Sequence, residues 1–282
     1  MTERSDNTSL GIALGGGGIR GLAHIPVLKV LDELGVRPTR IAGTSMGAIV
    51  GALYASDMPA GQIEERVREH IVLKRDNLKS IFKKRKQLIN WVRVFGPEKD
   101  RGGLVDADGL FQHLFDELLD LNFQDLPTPF LAVTTDYHSA EAVVFRDGPL
   151  LPAVLASMAV PGVFAPQRVD GKTLVDGGLV NNLPYDYIQK DVDLCIAVEL
   201  TNLPKQKKSS RLPRTLDVAT GAIDIMQVAA LREKLASNPP DILVRPLLEN
   251  VGIFDFHKIE YVLAQGERAA AELREKLEDV SY

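Results

Sequence analysis

The 282-residue chain contains a single cysteine, Cys195, so no internal disulfide can hold this fold together. The thiol lies in the apolar run Leu194-Cys-Ile-Ala-Val198, where a buried, inert side chain is expected. No stretch reaches the roughly 18 apolar residues that a membrane-spanning helix requires. The polar start, Met1-Thr-Glu-Arg-Ser-Asp-Asn-Thr8, lacks the apolar centre of a secretory signal, and a cytoplasmic location is the expectation. Cations are in deficit: 33 Lys and Arg face 38 Asp and Glu, for a net charge of -5. That balance argues against nucleic acid as a partner, because duplex binding needs an excess of cations to replace condensed counterions. Internal repeats at solenoid periods are also lacking. Charged residues at 25% and hydrophobic residues at 45% exclude general disorder and leave an ordinary globular protein.

Strand and helix patterns alternate along the chain. Leu10-Gly-Ile-Ala-Leu14 reads as a short buried strand running into four glycines, and residues 22–34 after them read as a helix ended by Gly35. A second strand at 39–43 leads into the helical run 46–55. Further strands are predicted at 130–134, 142–145, 194–200 and 242–244, and helices at 150–158, 216–235 and 259–277. Asp170-Gly171 marks the turn of a hairpin over 167–175. This alternation predicts an α/β fold with a mainly parallel central sheet sandwiched between helices. One domain over 1–282 is expected, with its motif-bearing core at about 10–200, a basic insertion at 74–103 and a strand-helix completion at 205–282.

Gly15-Gly-Gly-Gly-Ile-Arg-Gly21 contains G-x-G-x-x-G at Gly16, Gly18 and Gly21, a spacing shared with dinucleotide-binding loops. A dinucleotide site wants an acidic residue about 20 positions on, at the end of the second strand. Here that strand ends instead in Gly43-Thr-Ser-Met-Gly47. The alternative is that backbone amides of Gly17 and Gly18 face a developing oxyanion at the positive end of the following helix. Arg20 sits where a cation opposes the helix dipole, so an anion is expected beside it, either a substrate phosphate or, preferred, a structural carboxylate.

Gly43-Thr-Ser-Met-Gly47 fits G-x-S-x-G between a strand and a helix, the setting in which a strained turn lifts a serine Oγ clear of the sheet. Gly43 and Gly47 let the two backbones pass closely, and the Met46 amide is placed to join Gly17 and Gly18 as an oxyanion donor. Ser45 would then be a nucleophile in need of a base. Ser45, Asp136 or Asp193, and His257 satisfy the α/β-hydrolase order on paper, which keeps an esterase with a histidine base as an alternative. That fold, however, places its elbow after more strands than are predicted here. The five histidines, His24, His70, His113, His138 and His257, have no setting that singles one out. Val175-Asp-Gly-Gly178 offers a carboxylate held by two glycines, a pattern that taken alone is more often a turn than a site.

Three separate pieces, Gly16-Gly-Gly-Ile-Arg-Gly21, Gly43-Thr-Ser-Met-Gly47 and Asp176-Gly-Gly178, occur in the order found in the patatin-like phospholipases, and the chain resembles that family over about residues 10–200. Ala156-Ser-Met-Ala-Val-Pro-Gly-Val-Phe164 and Asn181-Asn-Leu-Pro184 are similar to its core as well. The resemblance implies a Ser45/Asp176 dyad without histidine, Asp176 as proton acceptor, Gly17 and Gly18 as oxyanion donors, and no metal or organic cofactor. It also implies hydrolysis of phospholipid or lysophospholipid esters through an acyl-serine. A catalytically silent lipid-binding or regulatory module on the same fold is the second reading. Asp136 is then structural. Lys83-Lys-Arg-Lys86, set among Ile81, Phe82, Trp91 and Phe95, gives residues 74–95 the mixed cationic and apolar character of a peripheral membrane contact.

Overall fold

The computed structural model describes residues 8–71, 118, 120–201, 215–253 and 255–279. The chain runs through β1 (Leu10–Leu14), α1 (His24–Leu34), β2 (Arg40–Thr44), α2 (Met46–Ala55), α3 (Ala60–Ile71), β3 (Phe130–Asp136), β4 (Ala142–Phe145) and α4 (Leu150–Ser157). It continues with β5 (Gln167–Val169), β6 (Lys172–Asp176), β7 (Leu194–Val198), α5 (Thr215–Ser237), β8 (Ile242–Val244) and α6 (Ile259–Asp279). Among the described residues, eight strands form one sheet in the order β5-β6-β3-β2-β1-β7-β8, with β4 paired to β3. The expected parallel arrangement holds from β3 through β2, β1 and β7 to β8. β4, β5 and β6 run antiparallel to it, so the sheet is mixed.

Period-two alternation divides the central strands between two faces. Ile12, Leu14, Ile41, Ile196 and Val198 point to one face, under α1, α2, α4 and α6. Each fully buried aliphatic side chain there contributes roughly 1.5–3 kcal/mol. Ala13, Ala42, Cys195 and Ala197 point to the other face. Their small size suits the cover found there: Leu183, Tyr185 and Ile188 from short 3-10 turns, plus Leu231 of α5. Among the described residues the sandwich is therefore asymmetric, thick and helical on one side and thin on the other. Burial pushes the Cys195 thiol up to about 12, as suits an inert core residue.

Most boundaries follow the sequence pattern, and the departures are local. The helix expected from residue 22 begins at His24, because residues 18–23 wind as a 3-10 turn out of the glycine run. The strand expected to reach residue 200 ends at Val198. Asp170 and Gly171 both take positive φ, 49° and 78°, the geometry that a two-residue hairpin turn demands. α6 packs on α1 and on that 3-10 turn, burying Val262, Leu263, Leu273 and Leu277. Among the described residues, no helix is long and apolar enough to cross a membrane. The basic segment 74–103 lies outside the described residues.

Candidate active site

Ser45 stands between β2 and α2 with φ 54° and ψ -123°, a left-handed conformation costing on the order of 1–3 kcal/mol for a residue with a side chain. The turn is this sharp because the backbones on either side nearly touch: a Cβ on Gly43 would lie 2.5 Å from Gly47 O, and one on Gly47 would lie 2.1 Å from Leu14 O of β1. Ser45 is also the residue that precedes the first turn of α2, so the helix's positive end lies at the serine. Its amide does not go unpaired. Ser45 N donates to Ser157 Oγ at 2.8 Å, and the Ser157 hydroxyl donates in turn to Val133 O at 2.6 Å. Ser157, at the end of α4, is fully buried.

β3 is the element that brings the second half of the site to the first. Thr44, at the end of β2, is in register with Val133, and Asp176, at the end of β6, is in register with the next residue, Thr134. Gly177 permits this approach, since a Cβ there would fall 2.1 Å from Val133 O. The Asp176 backbone is pinned on both sides, its amide donating to Ala159 O at 2.9 Å and its carbonyl accepting from Thr135 Oγ1 at 2.9 Å. Its Oδ1 accepts from Gly178 N at 2.7 Å, while Oδ2 is buried with no hydrogen-bond partner. Burial raises the carboxyl to about 6, and the nearby Ser45 hydroxyl and the Gly178 amide only partly oppose the rise. No hydrogen bond joins Ser45 Oγ to Asp176 here, although the hydroxyl is close enough to bias the carboxyl's protonation. A base whose catalytic hydrogen bond tightens only when substrate is present fits such a geometry.

The glycine run is oriented by two side chains. Asn182 Nδ2 donates to Gly16 O at 3.2 Å, and Arg20 Nε donates to Gly17 O at 3.1 Å. A trans peptide sets its carbonyl and the following amide on opposite sides, so these bonds also fix the directions of the Gly17 and Gly18 N–H groups. Neither amide, nor that of Met46, has an acceptor among the described residues. Gly17, Gly18, Met46, Ser45 and Asp176 all line one pocket. Its other walls are largely apolar, with Met158, Phe164, Leu179, Ile223 and Ile253 among them.

The anion expected beside Arg20 is Asp224, on α5: Arg20 Nη2 meets Asp224 Oδ1 at 2.7 Å, with the arginine only 2% exposed. A second contact from the same helix, Gln227 Nε2 to Gly178 O at 3.1 Å, ties α5 to the loop that follows Asp176. Both side chains line the pocket. Sequence reasoning missed these two, which no motif marks, although the misplaced charge of Arg20 was a signal that some carboxylate must come near it. Ser157 and Asn182 lie inside segments that carry the resemblance, without a role of their own in the sequence reading.

The rival groups fall elsewhere. Among the described residues no histidine lines the pocket. His257 is exposed in the short turn before α6. His138 stacks edge-on against Tyr137 on the surface. His24 is fully buried with Nε2 on Gly15 O at 2.8 Å, supporting the glycine run from behind. The side chain of His70 and all of His113 lie outside the described residues. Asp136 does not line the pocket and accepts from His138 N, and Asp193 is bound to Ser9. No cluster of metal-ligating side chains occurs among the described residues.

The family profile described as patatin-like phospholipase matches residues 12–188. An uncharacterised NTE family protein of Mycobacterium tuberculosis is 36% identical over 197 residues, 70% of this chain and 50% of that protein. A second one from the same organism is 31% identical over 96% of this chain and 47% of its own length. The patatin-like phospholipase domain-containing protein 6 of Mus musculus is 34% identical over 63% of this chain and 12% of its own. The chain thus spans about half the length of the mycobacterial relatives it matches. Among solved structures, VipD from Legionella pneumophila shares the fold with a TM-score of 0.53 at 14% identity, covering 96% of this chain and 67% of that one. With the profile covering more than half of its residues, the chain belongs to the patatin-like phospholipase family.

Proposed function

We propose that the protein hydrolyses carboxylic esters of phospholipids or lysophospholipids with Ser45 as nucleophile and Asp176 as its base. One observation carries the reading: a serine on a strained elbow shares a pocket with a buried carboxylate and three backbone amides that find no acceptor among the described residues, and the walls are largely apolar. Asp176 takes the hydroxyl proton as Ser45 Oγ attacks the ester carbonyl. The amides of Gly17, Gly18 and Met46 receive the oxyanion, helped by the positive end of α2. The alcohol leaves with the proton from Asp176, an acyl-serine remains, and Asp176 then activates the water that releases the fatty acid. Protein groups alone supply each of these steps. The basic, apolar segment at 74–95 is the proposed point of contact with a lipid surface, and the proposed setting is the cytoplasm.

A lipid panel read by mass spectrometry tests the reading. Ser45→Ala and Asp176→Asn should each reduce fatty-acid release by at least about a thousandfold while thermal unfolding stays cooperative. A fluorophosphonate probe should label wild type and leave Ser45→Ala untouched. Full activity in Asp176→Asn would exclude the dyad. A wild type that binds lipid but neither hydrolyses it nor reacts with the probe would identify a silent lipid-binding module instead.

A further inference from the structure

Three charged side chains line the pocket: Arg20, Asp176 and Asp224. Arg20 is the one cation there among the described residues. Its guanidinium does two separable things: Nε holds the Gly17 carbonyl, and Nη2 is occupied by Asp224. The first bond orients the glycine run and does not involve Asp224. The second cancels the charge that an anionic substrate group would otherwise find beside the oxyanion amides. Glu199 also feels Arg20, but its carboxylate is committed to Arg245 and does not line the pocket.

Asp224 reaches this position from α5, more than 200 residues after Arg20, and its side chain, which lines the pocket, keeps 17% exposure. Any anion near the scissile ester must either displace this carboxylate or sit beside it, and like charges in a partly buried site repel. From this geometry, and resting on the acyl-ester reading above, we infer that Asp224 is a specificity-determining residue. Among such lipids it disfavours acyl esters whose headgroup is net anionic close to the reacting carbonyl, relative to those whose headgroup carries no net charge.

A matched substrate pair tests this: monooleoylglycerol and its phosphate monoester, presented in micelles of a neutral detergent, with oleate release as the readout. Asp224→Asn removes the charge while its carboxamide oxygen still accepts from Arg20. It should raise the kcat/KM ratio of phosphorylated to uncharged ester by on the order of tenfold or more. Asp224→Ser, which shortens the side chain, should move the ratio in the same direction and serves if the first variant fails to fold. An unchanged ratio in a folded variant overturns the inference. A binding arm keeps the result separate from hydrolysis: calorimetry of the phosphorylated ester with Ser45→Ala and with Ser45→Ala/Asp224→Asn should show tighter binding by the double variant. Equal affinities would also overturn the inference. Wild type that releases no more oleate than Ser45→Ala would instead count against the hydrolytic reading, while the calorimetry still decides the role of Asp224.

Discussion

At the scale of single residues, Asp176 and His24 are two buried groups whose protonation is displaced toward each other. Burial lifts Asp176 from 3.8 to about 6 and lowers His24 from 6.5 to about 4, with the Gly15 carbonyl opposing the histidine's fall. The consequences for stability have opposite signs. Between about pH 4 and 6 the folded state holds a proton on Asp176 that the unfolded chain has released, so this group's contribution is lost as pH rises. Over about pH 4 to 6.5 the unfolded chain binds a proton at His24 that the folded state refuses, so stability from that group grows with pH. The two slopes offset each other in wild type. Asp176→Asn removes the first and leaves the second. The variant should be more stable than wild type by about 3 kcal/mol at pH 7.5, with the advantage vanishing toward pH 4, as urea denaturation across that range would show. For the same reason wild-type kcat/KM should rise with pH around an apparent value near 6, as Asp176, the proposed base, loses its proton.

Among the elements, β3 sets the geometry of the site while contributing none of its reacting groups. The Val133 carbonyl accepts from Ser157, which holds the Ser45 amide, and the same carbonyl is what Gly177 must pass. Ser157→Ala removes the acceptor of Ser45 N and the hydroxyl donor to Val133 O, both in the interior. The expected loss is about 1–3 kcal/mol of stability, with kcat falling more than KM changes, because the serine's position suffers and the pocket walls do not. Chemical denaturation and steady-state kinetics on one preparation would check both. This coupling explains what the sequence could and could not reveal. The elbow was legible because Gly43 and Gly47 are steric necessities written next to Ser45. Asp176 was legible only through resemblance, since its place opposite Thr134 depends on strand pairing between positions far apart in the chain. The serine of Ala156-Ser-Met158 looked like any small residue near a helix end, because a hydroxyl that bridges two backbones has no local pattern. The hairpin turn at Asp170-Gly171 was the opposite case, where two residues determine their own geometry.

On the scale of the whole molecule, the motifs and the pocket do not coincide. The family profile ends at residue 188, yet Ile223, Asp224, Gln227 and Ile253 line the pocket, and α6 backs the turn that carries the glycine run. A chain ending at residue 201 would keep all three motifs and lose α5, β8 and α6. It should neither unfold cooperatively nor react with a fluorophosphonate, outcomes that circular dichroism and gel fluorescence would record. The composition hid this dependence: α5 carries no motif, and its role follows from what it touches. During synthesis β1 is the first of the eight strands to be made, while its neighbour β7 follows about 180 residues later. At roughly 5–20 residues per second, that edge waits on the order of ten seconds or more for its partner. Ser45, the proposed nucleophile, thus exists on the ribosome well before the pocket around it, and the open side of β1 is the surface that a chaperone or a neighbouring nascent chain would meet first.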